Sequence, residues 1–452
     1  MRRFPGPAPR PFDEITLTRL TSDGHAGLAV AVSPDGRYVA HAFVEQGREG
    51  LRVRQVDTSA TVQVVPPADV QIYGVTFTPD GNRLGYVAYP RGSGTATLFE
   101  VPVLGGPPRK LLEDVDRDIS FAPDGTRFAF LRGLPGTGSA IVVANADGTG
   151  ERTLVERRSP SAFVYTNVAW SPDGKVIAAA TYDGQLLRVA LVAVDAATGA
   201  VQPIGSRRWE SVSGLRWLPG AAGLIAATSD WAVSSGGQIW TVEYPAGTAR
   251  RITNDLAGYS RLSLSADART LVTTRVESRG SLWVGPAGQP DRPARVAGIP
   301  DTLVAHPIRW TTDGRILYTA NTDGNDDIWT TLPVGTLLLG SYFDYGEGRT
   351  RIAMVRADGG GAPGRLDVRL TLGSRFTMAW APDGRAITYV RVTGGAANLW
   401  RQPIDGGPPT QVTHYTGGDL IAAHAWSPDG KLLAMVRAVT ARDVVVIRDV
   451  RR

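Results

Sequence analysis

The chain has 452 residues, a net charge of +5 and no cysteine. Its length exceeds what one ordinary core needs, and the missing thiols exclude a disulfide framework, a thiolate zinc site and a cysteine nucleophile. Charged residues make up 20% and hydrophobic ones 42%; the charge is scattered rather than gathered in the basic stripe that nucleic-acid binding requires, and no apolar run reaches the roughly 18 residues of a membrane helix.

Residues 1–14, MRRFPGPAPRPFDE, read as a Pro-rich tail or linker. They are basic but lack the apolar stretch of a signal peptide. Ile15–Thr21 is an isolated strand. Leu28–Val32 is a short apolar strand that runs into Ser33-Pro34-Asp35-Gly36. Pro presets φ at the second position of that turn, Asp bonds local backbone at the third, and Gly closes it. Tyr38–Phe43 follows as a second strand, Leu51–Val56 as a third with apolar–polar alternation, and Val62–Val65 as a fourth. Four short strands joined by tight turns form the meander of a propeller blade.

The same turn recurs at Thr78–Gly81, Ala122–Gly125, Ser171–Gly174, Ala381–Gly384 and Ser427–Gly430, with weaker copies at Leu218–Ala221, Ser265–Ala268 and Thr311–Gly314. From Asp35 the steps to Asp80, Asp124, Asp173, Gly220, Asp267, Asp313, Asp383 and Asp429 are 45, 44, 49, 47, 47, 46, 70 and 46 residues. A period in the mid-forties marks a repeat architecture. The expected fold is all-β, a β-propeller of four-stranded antiparallel blades with about ten repeat units. Either a six-bladed ring carries an incomplete second ring, or all units close one large ring. The first division places a six-unit propeller at 15–298 and four further units at 299–452. The 70-residue step leaves one of those four damaged, at about 332–375. The last unit stops after its third strand, Val444–Arg448, so Ile15–Thr21 is expected to supply the outer strand it lacks.

In this reading Asp35, Asp80, Asp124, Asp173, Asp313, Asp383 and Asp429 are structural turn residues. The large residues before the turns (Phe77, Phe121, Trp170, Trp217, Trp310, Trp380, Trp426) fill the spaces between adjacent sheets. No Gly-x-Ser-x-Gly, Walker loop or His-Glu-x-x-His occurs. Gly359–Gly364 sits in a strand-to-strand loop, and Asn321–Asp327 has its Gly misplaced for a calcium loop. The five His are dispersed, so no metal, cofactor or catalytic residue is expected. The connections between fourth and first strands, and between second and third, share one face of a propeller. The variable ones carry Arg157, Arg158, Tyr165, Arg207, Arg208, Trp209, Trp231 and Tyr259. Arg with Trp and Tyr is the composition of protein-binding hot spots, which makes these eight the binding candidates.

The units W-S-P-D-G-K (170–175, 426–431), G-N-D-D-I-W (324–329) and N-L-W-R-Q-P-I-D-G-G-P-P (398–409) resemble the WD40-like repeats of TolB and of prolyl oligopeptidase-type propellers. P-F-D-E-I-T-L-T-R-L-T (11–21), V-P-V-L-G-G-P-P-R-K-L (101–111) and A-R-D-V-V-V-I-R-D-V (441–450) are similar to the C-terminal propeller region of bacterial, notably acidobacterial, membrane-bound serine/threonine kinases. In those kinases a kinase domain and a membrane helix precede the repeats; this chain shows neither, and no V-A-I-K, H-R-D or D-F-G. The resemblance implies a non-catalytic sensor or binding module that takes a protein, peptide or small ligand on one ring face. It also implies a periplasmic or extracytoplasmic location, although the chain shows no export signal of its own and a cytoplasmic one stays open. A peptidase-type propeller detached from its hydrolase is the alternative.

Overall fold

The computed structural model describes residues 11–58, 60–91, 95–135, 138–183, 188–229, 237–255, 257–296, 308–310, 316–317, 337–344, 349–356, 364–366, 378–393, 395–417 and 419–450. It divides into two units. One takes the chain up to Val276 and again from Ala441; the other is Glu277–Thr440.

The first unit holds six four-stranded antiparallel blades. Blade 1 runs Ala26–Val32, Tyr38–Glu45, Arg48–Gln55, Thr61–Ala68 from inner to outer strand. Blades 2 to 5 follow within 70–113, 120–158, 169–203 and 211–251. Blade 6 is a composite. Gly258–Leu264 and the start of the strand Thr270–Pro286 are its first two strands. Its third is the end of the strand Leu432–Asp449, and its fourth is Ile15–Arg19, which pairs antiparallel with Val445–Asp449. The N-terminal strand thus takes the outer place expected for it.

Apolar clusters fill every gap between successive blades. Val75, Phe77 and Leu84 pack against blade 1, Trp170 and Ile177 against blade 3, and Trp217 and Leu224 against blade 4. The ring closes between blades 6 and 1, where Val272, Val444 and Val446 meet Val30, Val32 and Val39. Hydrogen bonds repeat this closure: Val32 N–H donates to Ser263 Oγ at 2.9 Å, and Ala266 N–H to Pro34 O at 2.9 Å.

The turn motif shows why it is repeated. Gly36 N–H donates to Ser33 O at 2.9 Å with Gly36 at φ +76°. Ser33 Oγ donates to Asp35 Oδ1 at 2.5 Å, and Asp35 Oδ1 also accepts Arg37 N–H at 3.0 Å. Asp80, Asp173 and Asp429 accept the same pair of bonds, while Asp124 takes both from Thr126 and Asp383 accepts from Arg385 N–H and Arg401. The worn copy Ser265–Ala268 keeps the backbone without the glycine, with Ala268 at φ +54°, whereas at Leu218–Ala221 both Gly220 (φ +73°) and Ala221 (φ +56°) are left-handed.

The second unit contains parts of four sheets among its described residues. Arg309–Trp310 pairs with Ile316–Leu317. Leu337–Asp344, Arg349–Arg356 and Gly364–Leu366 form a three-stranded sheet where the 70-residue step predicts a damaged unit. A four-stranded sheet runs from Met378 to Gln411. The last is again composite: Leu420–Trp426 and the start of Leu432–Asp449, then the end of Thr270–Pro286 and Ala294–Arg295.

The division between units therefore falls at 276 and 440, where the spacing places it at 298. Thr270–Pro286 and Leu432–Asp449 are 17 and 18 residues long, about three times a usual strand, and each passes from one unit into the other. Leu282-Trp283 reads as the third strand of the sixth repeat, and the spacing places it there. In the structure Leu282 packs in the second unit with Ile308 and Val436, and Val444–Ile447 fills the place of the pair in blade 6.

Candidate functional site: the channel of the six-bladed unit

The inner strands of the six blades surround a channel, and the repeat makes their positions comparable. Two residues before each turn motif stand Ala31, Thr76, Ser120, Ala169, Arg216 and Ser263; four before stand Ala29, Gly74, Asp118, Asn167, Gly214 and Arg261. Small residues are required where inner strands crowd together; a Cβ on Gly74 would lie 2.4 Å from Asp118 N. Arg216, Asp118 and Arg261 break that pattern.

The exceptions meet. Arg216 Nη2 donates to Asp118 Oδ2 at 2.9 Å. They belong to blades 5 and 3, so this bond crosses the channel; Asp118 is only 8% exposed. Arg117, from the connection into blade 3, donates through Nε to Tyr165 O at 3.0 Å and through Nη1 to Asp116 O at 2.7 Å. Its guanidinium lies 4.7 Å from the Tyr73 ring centre and 5.9 Å from that of Tyr165. Arg261 lies within electrostatic reach of Arg117, Asp118, Tyr73 and Arg216. Burial, with the Arg117 charge second, pulls its guanidinium down to about 10. Burial raises the Asp116 carboxyl, opposed by the Gly133 N–H that donates to it at 2.6 Å. Burial likewise raises the Tyr73 hydroxyl, with Arg117 opposing.

At the turn-motif end the channel opens into a cavity of about 230 Å³ bounded by Thr76, Ser120, Arg216 and Ser263. Thr76 Oγ1 donates to Ile119 O at 3.0 Å. Ser120 Oγ and Ser263 Oγ instead accept backbone N–H groups, from Trp170 and Val32, both at 2.9 Å. Among the described residues neither hydroxyl has an acceptor of its own, so both O–H groups are open to donate.

The residues singled out by composition fall into three groups. Tyr165 joins the channel cluster through Arg117. Arg157 and Arg158 end the outer strand of blade 3, where Arg158 is exposed. The remainder lead away from the ring face. Trp209 is 1% exposed, edge-on to Trp240 at 5.3 Å, and hydrogen-bonded through its backbone to Val189. Tyr259 is also 1% exposed and donates to Asp255 Oδ2 at 2.8 Å. Both are core residues, which corrects their reading as contact residues: an aromatic in a blade connection has an apolar gap beneath it, and burial there outweighs display. Arg207 lies over that pair, 4.5 Å from the Trp209 ring and 4.7 Å from Trp240. Arg208 Nη1 folds back onto Ser206 O at 2.9 Å. Trp231 and Asp313 lie outside the described residues. Composition missed Arg117, Asp118, Arg216 and Arg261; lining up the turns and asking which residue departs from its column identifies the last three.

Comparison with known proteins agrees with a propeller scaffold. Residues 155–187, from the end of blade 3 into blade 4, match the family described as WD domain, G-beta repeat. A stretch of 143 residues is 29% identical to the Protein TolB homolog of Chlorobium luteolum (strain DSM 273 / BCRC 81028 / 2530) and covers 31% of each chain. This chain thus matches about a third of that relative's length. Among solved structures, TolB from Acinetobacter baumannii aligns at 13% identity over 90% of this chain and 83% of its own, with a TM-score of 0.37. Oligogalacturonate lyase from Vibrio parahaemolyticus aligns at 13% identity over 57% and 89%, with a TM-score of 0.38. The fold assignment rests on the strand pairing itself. No helix among the described residues is long and apolar enough to cross a membrane.

Proposed function

We propose that the six-bladed unit is a non-catalytic sensor or binding module, similar in role to the extracytoplasmic part of a receptor-type serine/threonine kinase or to TolB. It takes a protein, peptide or small ligand at the channel, whose rim on the side where the inner strands begin carries Arg157 and Arg158. One observation carries this reading: residues that break the repeat converge on one place, with Arg117 held between Tyr73 and Tyr165 and with Arg216 and Asp118 joined across the channel. Guanidiniums and tyrosines recognise partners by charge, hydrogen bonding and ring contact. The repeat supplies a rigid frame, and function resides in what departs from it.

The exposed rim tests the face. Immobilised protein is offered envelope extract, and the parent is compared with an Arg157→Glu/Arg158→Glu double variant. Loss of a partner captured by the parent supports this face; equal capture by both removes the rim from the site.

A further inference from the structure

We infer that the channel of the six-bladed unit holds a small oxyanion, a carboxylate or phosphate group, bound by Arg261 and Arg216 and by the hydroxyls of Ser120 and Ser263. This rests on the binding role proposed above and names the ligand chemistry. Four observations converge on it.

Arg261 has no hydrogen-bond or ion-pair partner among the described residues, although it sits within a closed ring. A guanidinium offers five donors, and Arg261 is only part-buried, so those donors stay open to a ligand. The group in reach with the opposite sign, Asp118, is already paired with Arg216. Three guanidiniums, Arg117, Arg216 and Arg261, therefore gather around the ion-paired Asp118 and the Asp116 carboxyl, and the guanidiniums are in excess.

The backbone is strained at the same residue. Arg261 adopts φ +58°, a left-handed conformation that is unfavourable for a residue with a Cβ. It is the bulged residue of its strand, where the register slips between Ser260 and Leu262. A bulge re-aims a side chain, and strain of this kind persists where the surrounding structure enforces it.

The repeat offers other solutions at the same position. Ala29, Gly74, Asn167 and Gly214 fill it in blades 1, 2, 4 and 5. Asn167 there bonds the next blade, accepting Leu215 N–H at 3.0 Å and donating to Leu215 O at 2.8 Å. Arg261 makes no such bridge.

The turn-motif end of the channel has matching chemistry. A cavity of about 230 Å³ there is bordered by Arg216, Ser120 and Ser263; Arg261 stands outside its lining, within electrostatic reach of Arg216. Planar guanidiniums with hydroxyl donors form the donor set that carboxylate and phosphate oxygens take up.

The test uses the full chain with inorganic phosphate, succinate and sodium chloride at matched ionic strength, read by thermal unfolding and calorimetry. Phosphate or succinate should raise the melting temperature beyond chloride; a response to one alone separates phosphoryl from carboxylate ligands. Arg261→Gly fits φ +58° without strain, so it should fold at least as stably as the parent while losing about tenfold or more in oxyanion affinity. Ser120→Ala should weaken binding to a smaller degree. No effect beyond chloride, or undiminished binding by Arg261→Gly, overturns the inference. Partner capture that depends on Arg157 and Arg158 without oxyanion binding would leave the proposed module standing and remove only the channel ligand. Oxyanion binding that depends on Arg261, with capture indifferent to the rim, would do the reverse.

Discussion

Each turn of the repeat is a hydrogen-bonding device, and its worn copies show what each residue contributes. Ser33 and Asp35 hold the turn through side-chain bonds, and Gly36 supplies the left-handed backbone. At Ser265–Ala268 the bonds survive, since Ser265 Oγ still donates to Asp267 at 2.6 Å, but an alanine stands at φ +54°. Ala268→Gly should therefore stabilise the protein by about 1 kcal/mol, measured as the shift in denaturation midpoint; an unchanged or lower midpoint would show that the turn relaxes around the alanine. The aromatic residues make a related point. Trp170 and Trp217 lie between blades as their place before the turn predicts. Trp209 lies there too, although it belongs to no repeat position and its Arg-rich surroundings suggest display.

At the scale of the strand, pairing between distant segments decides the architecture. The isolated Ile15–Arg19 is legible as an outer strand, because the last repeat visibly lacks one. That Val444–Ile447 replaces Leu282-Trp283 in blade 6 is not legible. Both segments are apolar with the right alternation, and local preference cannot choose between two partners equally suited to the same ladder. The choice gives a direct prediction. Removing 277–440 and joining Val276 to Ala441 through a short loop containing Asn-Gly should leave a six-bladed unit that unfolds in one cooperative step, followed by circular dichroism. A product without cooperative unfolding would show that the first unit depends on the second.

For the molecule as a whole, pH response follows from what the two units bury. His41 in the first unit and His424 in the second are each 4% exposed. Burial lowers the pKa of both, that of His424 to about 4, with its Thr388 hydrogen bond opposing. Each histidine takes up a proton in the unfolded chain near 6.5 but resists it when folded. Stability is thus full above 6.5 and declines as pH falls toward 4, by on the order of 3 kcal/mol for His424 when complete. The turn carboxylates act lower: hydrogen bonds from Ser33, Thr78 and Ser171 hold Asp35, Asp80 and Asp173 below 3.8, so their contribution is lost only under stronger acid. His424→Gln should lose less stability than the parent between pH 7 and pH 5 in denaturant titrations; an equal loss would place the response elsewhere. By itself the sequence determined the repeat, the blade meander, the structural role of the turn aspartates and the place of the N-terminal strand, because turn chemistry and two-residue alternation act over a few neighbouring residues. Only the tertiary structure decided where one unit ends and which strand completes blade 6. It also decided that Arg216 meets Asp118 across the channel and that Arg261, without a partner among the described residues, stands near Arg117 and Arg216, because those outcomes depend on which distant segments share a sheet and on what the closed ring brings together at its centre.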